Sequence, residues 1–419
     1  MILEGTTLLH PLLNLFYTKT MEDNQPLQRP SLPEQTNVTN NVKHKISRRV
    51  YIIIGIFSLI FIFCVMFFLK RNNLPISSTQ PSLYTQSSQT NCKKAYGPLT
   101  QKGKIILQSN GTAYIPYGIT TSGLSNANYQ DRVTNDYAQI KAAATIWCAN
   151  TVRLQVGQDN LVGVNGDTFS QNFMTAIENE VTYAKSLGLL VVINDQTESV
   201  GYEKGPTKAT SAFWKEIANI YKNDPQVIFD LFNEPRVSKK NINATWQLWQ
   251  NGGTNHGITY LGMQDIVNEV RSNGAKNLLW IEGPYTSSTL SEVLTYPITG
   301  EPLMYAIHHP IGMHTPQTWE TDFGYLITQN IAPVVVGEWS NYASNKSECW
   351  SDAPTSVPQF LSYLQSKHIG MTVWTLKKGV LLESNNFSDP SQFKTNWSCI
   401  DGLNEGAGQL VINWFKSQN

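Results

Sequence analysis

The sequence carries no surplus of charge. Its 419 residues hold 31 Lys and Arg against 31 Asp and Glu, and charged residues make up only 15% of the chain. A neutral chain lacks the basic field that nucleic-acid binding requires, so no nucleic acid is expected as a partner. Phosphate-binding signatures are missing too. Without a G-x-G-x-x-G or a P-loop, a doubly wound nucleotide-binding sheet has no support. No repeat of solenoid type is visible. Cysteine is sparse, at 5 residues. Histidines cluster only at His308, His309 and His314, and adjacent strand residues point to opposite faces, so neither metal nor cofactor is expected.

What is present is a globular composition: 41% hydrophobic residues, 28 Gly and 20 Pro, with length enough for a large core. The 11 Trp and 18 Tyr supply flat amphipathic rings. Such rings serve either core packing or stacking on the apolar faces of sugars. One stretch is not globular. Val50 to Leu69 reads VYIIIGIFSLIFIFCVMFFL, about twenty uncharged residues, long enough to cross a bilayer. Lys43, Lys45, Arg48 and Arg49 precede it, and only Lys70 and Arg71 follow. That asymmetry predicts a single-pass anchor in the cell membrane, with a cytoplasmic N-terminus and an extracellular C-terminal part. A cleaved signal peptide fits less well, because the run starts late and lacks a small-x-small cleavage site.

The expected organisation is therefore a disordered cytoplasmic tail over 1–49, a transmembrane helix over 50–69, a Ser/Thr/Pro-rich linker over 70–91 and one catalytic domain over 92–419. Met21 is an alternative start. Cys64 lies in the apolar run, which leaves Cys92, Cys148, Cys349 and Cys399 outside. Four cysteines allow three pairings. Cys92–Cys148 with Cys349–Cys399 is preferred, and four free thiols is the alternative. N-x-S/T sequons stand at Asn110, Asn243, Asn345, Asn386 and Asn396.

From Cys92 onward, short apolar runs alternate with amphipathic stretches, which predicts βα units and a parallel sheet. The strand candidates are Tyr114–Thr120, Thr151–Val156, Leu189–Asn194, Val227–Asn233, Leu278–Glu282, Met304–His308, Pro333–Glu338 and Met371–Leu376. They are nearly continuous in Val, Ile and Leu, as strands covered on both faces require. Helical stripes lie between them. One is Phe173, Ile177, Val181 and Ala184, stopped by Gly188; another is Phe213, Ile217, Ile220 and Tyr221, closed by Pro225. Eight strands over this length predict a (β/α)8 TIM barrel, in the α/β class.

In such a barrel, functional groups sit where strands end. VIFDLFNEPR ends in Asn233 and Glu234, and APVVVGEWS ends in Glu338 and Trp339. Two carboxyls on separate strand tips can face each other across one mouth. Retaining glycoside hydrolysis needs that arrangement, with one carboxyl as proton donor and the other as nucleophile. Either glutamate alone could equally serve a salt bridge.

The Asn-Glu-Pro and Gly-Glu-Trp contexts resemble glycoside hydrolase family 5, the cellulase family, across essentially residues 93–419. The resemblance implies Glu234 as general acid/base, Glu338 as nucleophile and Asn233 as a ligand of the sugar 2-hydroxyl. TVRLQV resembles the second strand, which makes Arg153 the arginine that keeps Glu338 ionised. MYAIHHP resembles the sixth, with His308 near the acid/base. MTVWTL resembles the eighth, with Trp374 as the floor under the sugar. Two departures stand out. Gln196 replaces the family's third-strand histidine, and Pro310 falls where the family places a tyrosine that hydrogen-bonds the nucleophile. Tyr285 or His309 is offered in that tyrosine's place.

In the loops, Trp246, Trp249, Tyr285 and Trp319 are candidates for sugar stacking, although Trp246 and Trp249 also have the spacing of one helix face and suit a core beneath a loop. The function expected is a monomeric endo-β-1,4-glucanase acting on a β-linked polysaccharide. The alternatives are a β-mannanase, an exo-β-glucanase, a transglycosylase, or a surface carbohydrate-binding protein that has lost turnover.

Overall fold

The computed structural model describes residues 92–197, 204–308, 315–339, 353–377, 381–382, 399–400, 403–404 and 407–419. The expected tail, span and linker lie outside the described residues, as do His309, Pro310, His314, Cys349 and the sequons at Asn345, Asn386 and Asn396. Among the described residues, no helix is long and apolar enough to cross a membrane.

Eight strands close into a barrel: β1 (Tyr117–Thr121), β2 (Thr151–Gly157), β3 (Leu190–Gln196), β4 (Val227–Asp230), β5 (Leu279–Glu282), β6 (Leu303–His308), β7 (Val334–Glu338) and β8 (Gly370–Val373). Each pairs in parallel with the next, and β8 returns to β1 through Met371 opposite Tyr117. All eight expected strands are present, and the eighth ends at Val373 rather than Leu376 while the third runs on to Gln196 rather than Asn194; two further edges have a visible cause. The first begins at Tyr117 rather than Tyr114 because Pro116 has no N–H to give the ladder; its carbonyl accepts from Met371 N instead, at 2.8 Å. The fourth stops at Asp230 rather than Asn233, where the chain turns to satisfy individual neighbours. Leu231 O accepts from the Trp214 indole and Asn233 N donates to Asp195 O, both at 2.8 Å.

Alternation along each strand separates two apolar regions. Leu190, Val192, Ile228, Leu278, Trp280, Met304, Ala306 and Val335 fill the barrel's interior near the strand beginnings, with Leu99, Ile106 and Tyr114 packed among them from the preceding segment. Val152, Leu154, Ile193, Phe229, Ile281, Ile307 and Val336 face outward, into the layer covered by helices. That layer includes α1 (Tyr129–Thr145), α2 (Gln171–Ser186), α3 (Lys208–Tyr221), α4 (Ile242–Asn251), α5 (Met263–Ser272), α6 (Ala353–Lys367) and α7 (Ala407–Ser417).

Helix α2 starts where the Ser170 hydroxyl accepts from Phe173 N, and it buries Phe173, Ile177, Val181 and Ala184 as expected. Its end is followed by Gly188 at φ 78°, a left-handed position that suits glycine. On α3 the expected stripe needs one correction. Phe213, Ile217 and Tyr221 are buried, but Ile220 is 43% exposed. The buried arc is centred nearer Trp214 and Ile217, which leaves Ile220 on its margin.

A disulfide joins Cys92 to Cys148, as preferred from the sequence, with S–S 2.06 Å. Neither Cys349 nor the Cys399 side chain falls within the described residues, so the second pairing lies outside them. Cys148 precedes β2, so the bridge sits at the end of the barrel where strands begin. The C-terminus reaches the same place. Asn419 accepts from Lys93 N and donates to Cys148 O at 3.3 Å.

Candidate active site

At the opposite end, the interior turns polar. Arg153, on β2, is fully buried and donates to four groups. Its Nε meets Asp230 Oδ2 at 2.8 Å, Nη1 meets Glu338 Oε2 at 2.8 Å, and Nη2 meets Asn233 Oδ1 at 2.7 Å and Glu282 Oε1 at 2.9 Å. Burial alone would weaken the guanidinium's hold on its proton, and Asp230, Glu282 and Glu338 more than reverse that. Two residues along the same strand face, Gln155 donates Nε2 to Glu338 Oε2 at 3.0 Å. Glu338 thus receives two N–H groups on one oxygen, an environment that favours its ionised form.

Glu338 faces the mouth because β7 is irregular. Strict alternation from Val335 would turn Gly337 inward and Glu338 out toward the helices. The register shifts here: Ile307 is opposite Val336, yet His308 is opposite Glu338. The extra residue is Gly337, and the bulge re-aims the carboxyl. Glycine is needed there, since a Cβ would lie 2.9 Å from His308 Nε2.

Glu234 lies past the end of β4, with a left-handed φ of 51°. Its carboxyl is within 3.2 Å of His308 Nδ1 and 3.9 Å of Arg236 Nη2, and its backbone N donates to Glu282 Oε2 at 2.6 Å. His308 is fully buried, and its Nε2 stands 3.2 Å from Glu282 Oε1. Burial would lower the imidazole's pKa, but Glu282, Glu234 and Glu338 raise it to about 10. Burial likewise works against ionised Glu282, yet His308, Arg153 and Ser287 bring it down to about 2. Asp230 goes the other way. Burial and the nearby Glu282 push it up to about 8, with Arg153 opposing. At neutral pH the cations Arg153 and His308 therefore face ionised Glu282, while burial and Glu282 favour the protonated form of Asp230.

The segment after β5 carries stored strain. Tyr285, Thr286 and Ser287 have φ of 56°, 60° and 58°, left-handed conformations that cost about 1–2 kcal/mol each in a non-glycine residue. Thr286 N donates to Pro235 O at 2.9 Å, and the Ser287 hydroxyl donates to Glu282 Oε2. The turn is thereby tied to the loop that carries Glu234.

The structure brings Glu234, Glu338, Arg153, Asn233 and His308 into one connected network. Trp374, just past β8, is half-buried; its N donates to Trp339 O at 2.9 Å, and Lys377 Nζ lies 5.9 Å from its ring centroid. Gln196 ends β3 beside Gly157 of β2. Tyr285 is half-buried in the left-handed turn. Of the two groups offered in the family tyrosine's place, His309 lies outside the described residues; among the described residues, Gln155 donates to Glu338. Trp246, Trp249 and Trp319 form no exposed platform. Trp246 and Trp249 pack edge to face, with Trp249 Nε1 donating to Glu282 O, and Trp319 packs on Phe360 and Tyr363.

Gln155, Asp230, Glu282 and Ser287 were not foreseen. The signal for the first three was the period of two. Each stands two positions after an inward residue, namely Arg153, Ile228 or Trp280. Among the described residues, no group of three or more His, Cys, Asp or Glu could hold a metal ion.

The model of the cellulase family, glycosyl hydrolase family 5, matches residues 108–379. The chain belongs to glycosyl hydrolase family 5. It is similar to the cellulase CelDZ1 of Thermoanaerobacterium sp, with 23% identity over 62% of this chain and 64% of that one. It is also similar to an endoglucanase of Halalkalibacter akibai, with 25% identity over 62% of this chain but 33% of the relative. The match thus spans less than two thirds of either relative's length. Among solved structures, the family 5 barrel resembles the beta-glucanase SdGluc5_26A of Saccharophagus degradans, with TM-score 0.55, 16% identity, and coverage of 83% of this chain and 98% of that one. It also resembles the catalytic domain of Thermobifida fusca endoglucanase Cel5A, with TM-score 0.53, 16% identity, and coverage of 77% and 98%. At these identities the structural likeness speaks for the fold.

Proposed function

We propose that this family 5 chain is a retaining, endo-acting β-1,4-glucanase. The observation that carries the reading is the unlike setting of two carboxyls at one barrel mouth. Glu338 accepts from Arg153 and Gln155, whereas Glu234 shares a contact with His308. A carboxylate held ionised by fixed N–H donors suits a nucleophile, and the carboxyl that takes no N–H from Arg153 or Gln155 is the better placed of the two to exchange a proton. Glu338 attacks the anomeric carbon as the glycosidic C–O bond breaks. Glu234 delivers a proton to the departing oxygen, giving a glycosyl ester on Glu338. A water then attacks the same carbon, returns its proton to Glu234 and releases Glu338. Two inversions give net retention. Arg153 and Gln155 hold Glu338 on line, Asn233 meets the sugar 2-hydroxyl, and Trp374 lies under the ring. The names of the relatives, cellulase and endoglucanase, support a glucan as substrate.

The test is reducing-sugar release by the purified full chain from cellulose-type glucan, mixed-linkage glucan, β-mannan, xyloglucan and β-xylan, with product anomers followed by NMR. Release from β-1,4-glucan with the β-anomer first is expected. Glu234→Ala should lose about 100- to 10,000-fold on polymer but far less on aryl glycosides, whose leaving group needs no proton. Release from mannan or xylan alone would replace the substrate. Binding without release by folded protein would replace the enzyme with a carbohydrate-binding protein.

We also propose that residues 50–69 anchor the chain, with the barrel outside the cell. The uncharged run and its heavier positive flank on the N-terminal side support this. The full chain should stay with membranes after a carbonate wash, and deletion of 50–69 should release it.

A further inference from the structure

Glu282 forms no bond in the proposed displacement, yet its carboxyl meets Glu234 N, the Ser287 hydroxyl, Arg153 and His308. We propose that Glu282 is a positioning residue that couples the two reacting glutamates, fixing the backbone of Glu234 with one oxygen and the two cationic side chains with the other. Its Oε2 accepts from Glu234 N at 2.6 Å and from the Ser287 hydroxyl. Its Oε1 lies 2.9 Å from Arg153 Nη2 and 3.2 Å from His308 Nε2. Arg153 in turn holds Glu338, and His308 holds Glu234. One carboxylate therefore stands one step from each catalytic carboxyl along two separate paths.

Its partners come from four chain segments: β2, the loop after β4, the turn after β5, and the end of β6. Glu282 is wholly buried, so these contacts replace water for a charge that could not otherwise remain ionised there. Two local conformations that side chains rarely adopt converge on it. The left-handed φ of Glu234 aims that residue's N–H at Oε2, and the left-handed turn at 285–287 aims the Ser287 hydroxyl at the same atom. Strain at two places that delivers donors to one oxygen is what a positioning device requires.

The proposal rests on Glu234 and Glu338 being the acid/base and the nucleophile, and its test separates the two ideas. His308 is faced by Glu234 from the loop after β4, Glu282 from β5, Glu338 from β7, Asp230 from β4 and Arg153 from β2. Glu282→Gln removes one anion from that set and preserves shape. In the full chain it should lower kcat about 100-fold, the scale of a small misplacement of reacting groups. KM should stay within about twofold. The alkaline limb of the kcat profile should move about one to three pH units lower, because an anion no longer favours the bound proton.

The ring titration of His308 should move in the same direction. It is read by NMR of 15N-histidine-labelled protein without substrate and assigned by its absence in His308→Gln. An activity loss with the limb and the titration unmoved would make Glu282 merely structural and overturn the proposal. If no glycan is cleaved even by the unaltered chain, the functional reading fails, while the His308 titration still decides the role of Glu282. Should Glu282→Gln not fold, Ser287→Ala keeps the carboxylate and removes one donor. A loss of about tenfold in kcat is then expected, and no loss would overturn the proposal.

Discussion

Where its strands begin, the barrel is lined by Leu190, Val192, Ile228, Trp280, Met304 and Val335. Where they finish, the same inward positions carry Arg153, Gln155, Asn194, Asp230, Glu282 and His308, all buried. The change takes one inward step: Val192 to Asn194, Ile228 to Asp230, Trp280 to Glu282, Ala306 to His308. The apolar end gains from removing surface from water, does not depend on direction, and tolerates changes of shape. The polar end has many hydrogen bonds and ion pairs that are individually directional and mutually dependent. A single fold thus keeps packing and chemistry on the same strands without mixing them. Damage at one end should read out in stability and damage at the other in turnover and pH response.

The largest separation is expected from Glu338→Gln. Activity on β-glucan should fall by roughly 10,000-fold, with the urea midpoint of unfolding little changed; a large loss of stability would blur the division of labour. Ile228→Ala, two residues before Asp230, should do the reverse. Truncating this buried side chain should cost about 2–5 kcal/mol in stability, while the folded fraction keeps its kcat and pH profile.

The two ends should also differ in how stability depends on pH. Glu282 is depressed from 4.5 to about 2, so it stabilises the fold above pH 4.5, and that contribution is lost as pH falls toward 2. His308 is raised from 6.5 to about 10, so its contribution is complete below pH 6.5 and is lost as pH rises through 10. Denaturant unfolding of His308→Gln against the unaltered chain should therefore show a deficit that shrinks on going alkaline. The deficit of Ile228→Ala should stay constant over the same range. The smallest effect is expected from Asp230→Asn. Asp230 is pushed up to about 8, which favours its protonated form at neutral pH, so kcat near pH 7 should change by less than about threefold. A large loss would mean that Asp230 acts as an anion and that the charge balance of the mouth is different.

Much of this architecture was legible from periodicity. Eight apolar runs gave eight strands, because a strand covered on both faces has little choice of composition. The Cys92–Cys148 bridge was preferred from the sequence and is present. Strand edges shifted where a single atom decides, as with the missing N–H of Pro116. At the mouth, motif contexts located Glu234 and Glu338, but Gln155 as a donor to Glu338 was not foreseen. Only the closure of the barrel brings a glutamine on β2 to a carboxyl on β7. The β7 bulge was equally invisible, since Gly337 reads as an ordinary strand residue until its neighbour's register is known. The tryptophans of α4 satisfied both a stacking and a packing reading by spacing alone, and burial decides for packing.

Both ends of the described catalytic part, Lys93 and Asn419, meet beside the Cys92–Cys148 bridge, on the face away from the catalytic mouth. Neither end can fray alone, because loosening Cys92–Lys93 removes a partner of Asn419 and loosening Asn419 removes a partner of Lys93 and Cys148. The seam that closes the domain thus lies on strand beginnings that carry no reacting group.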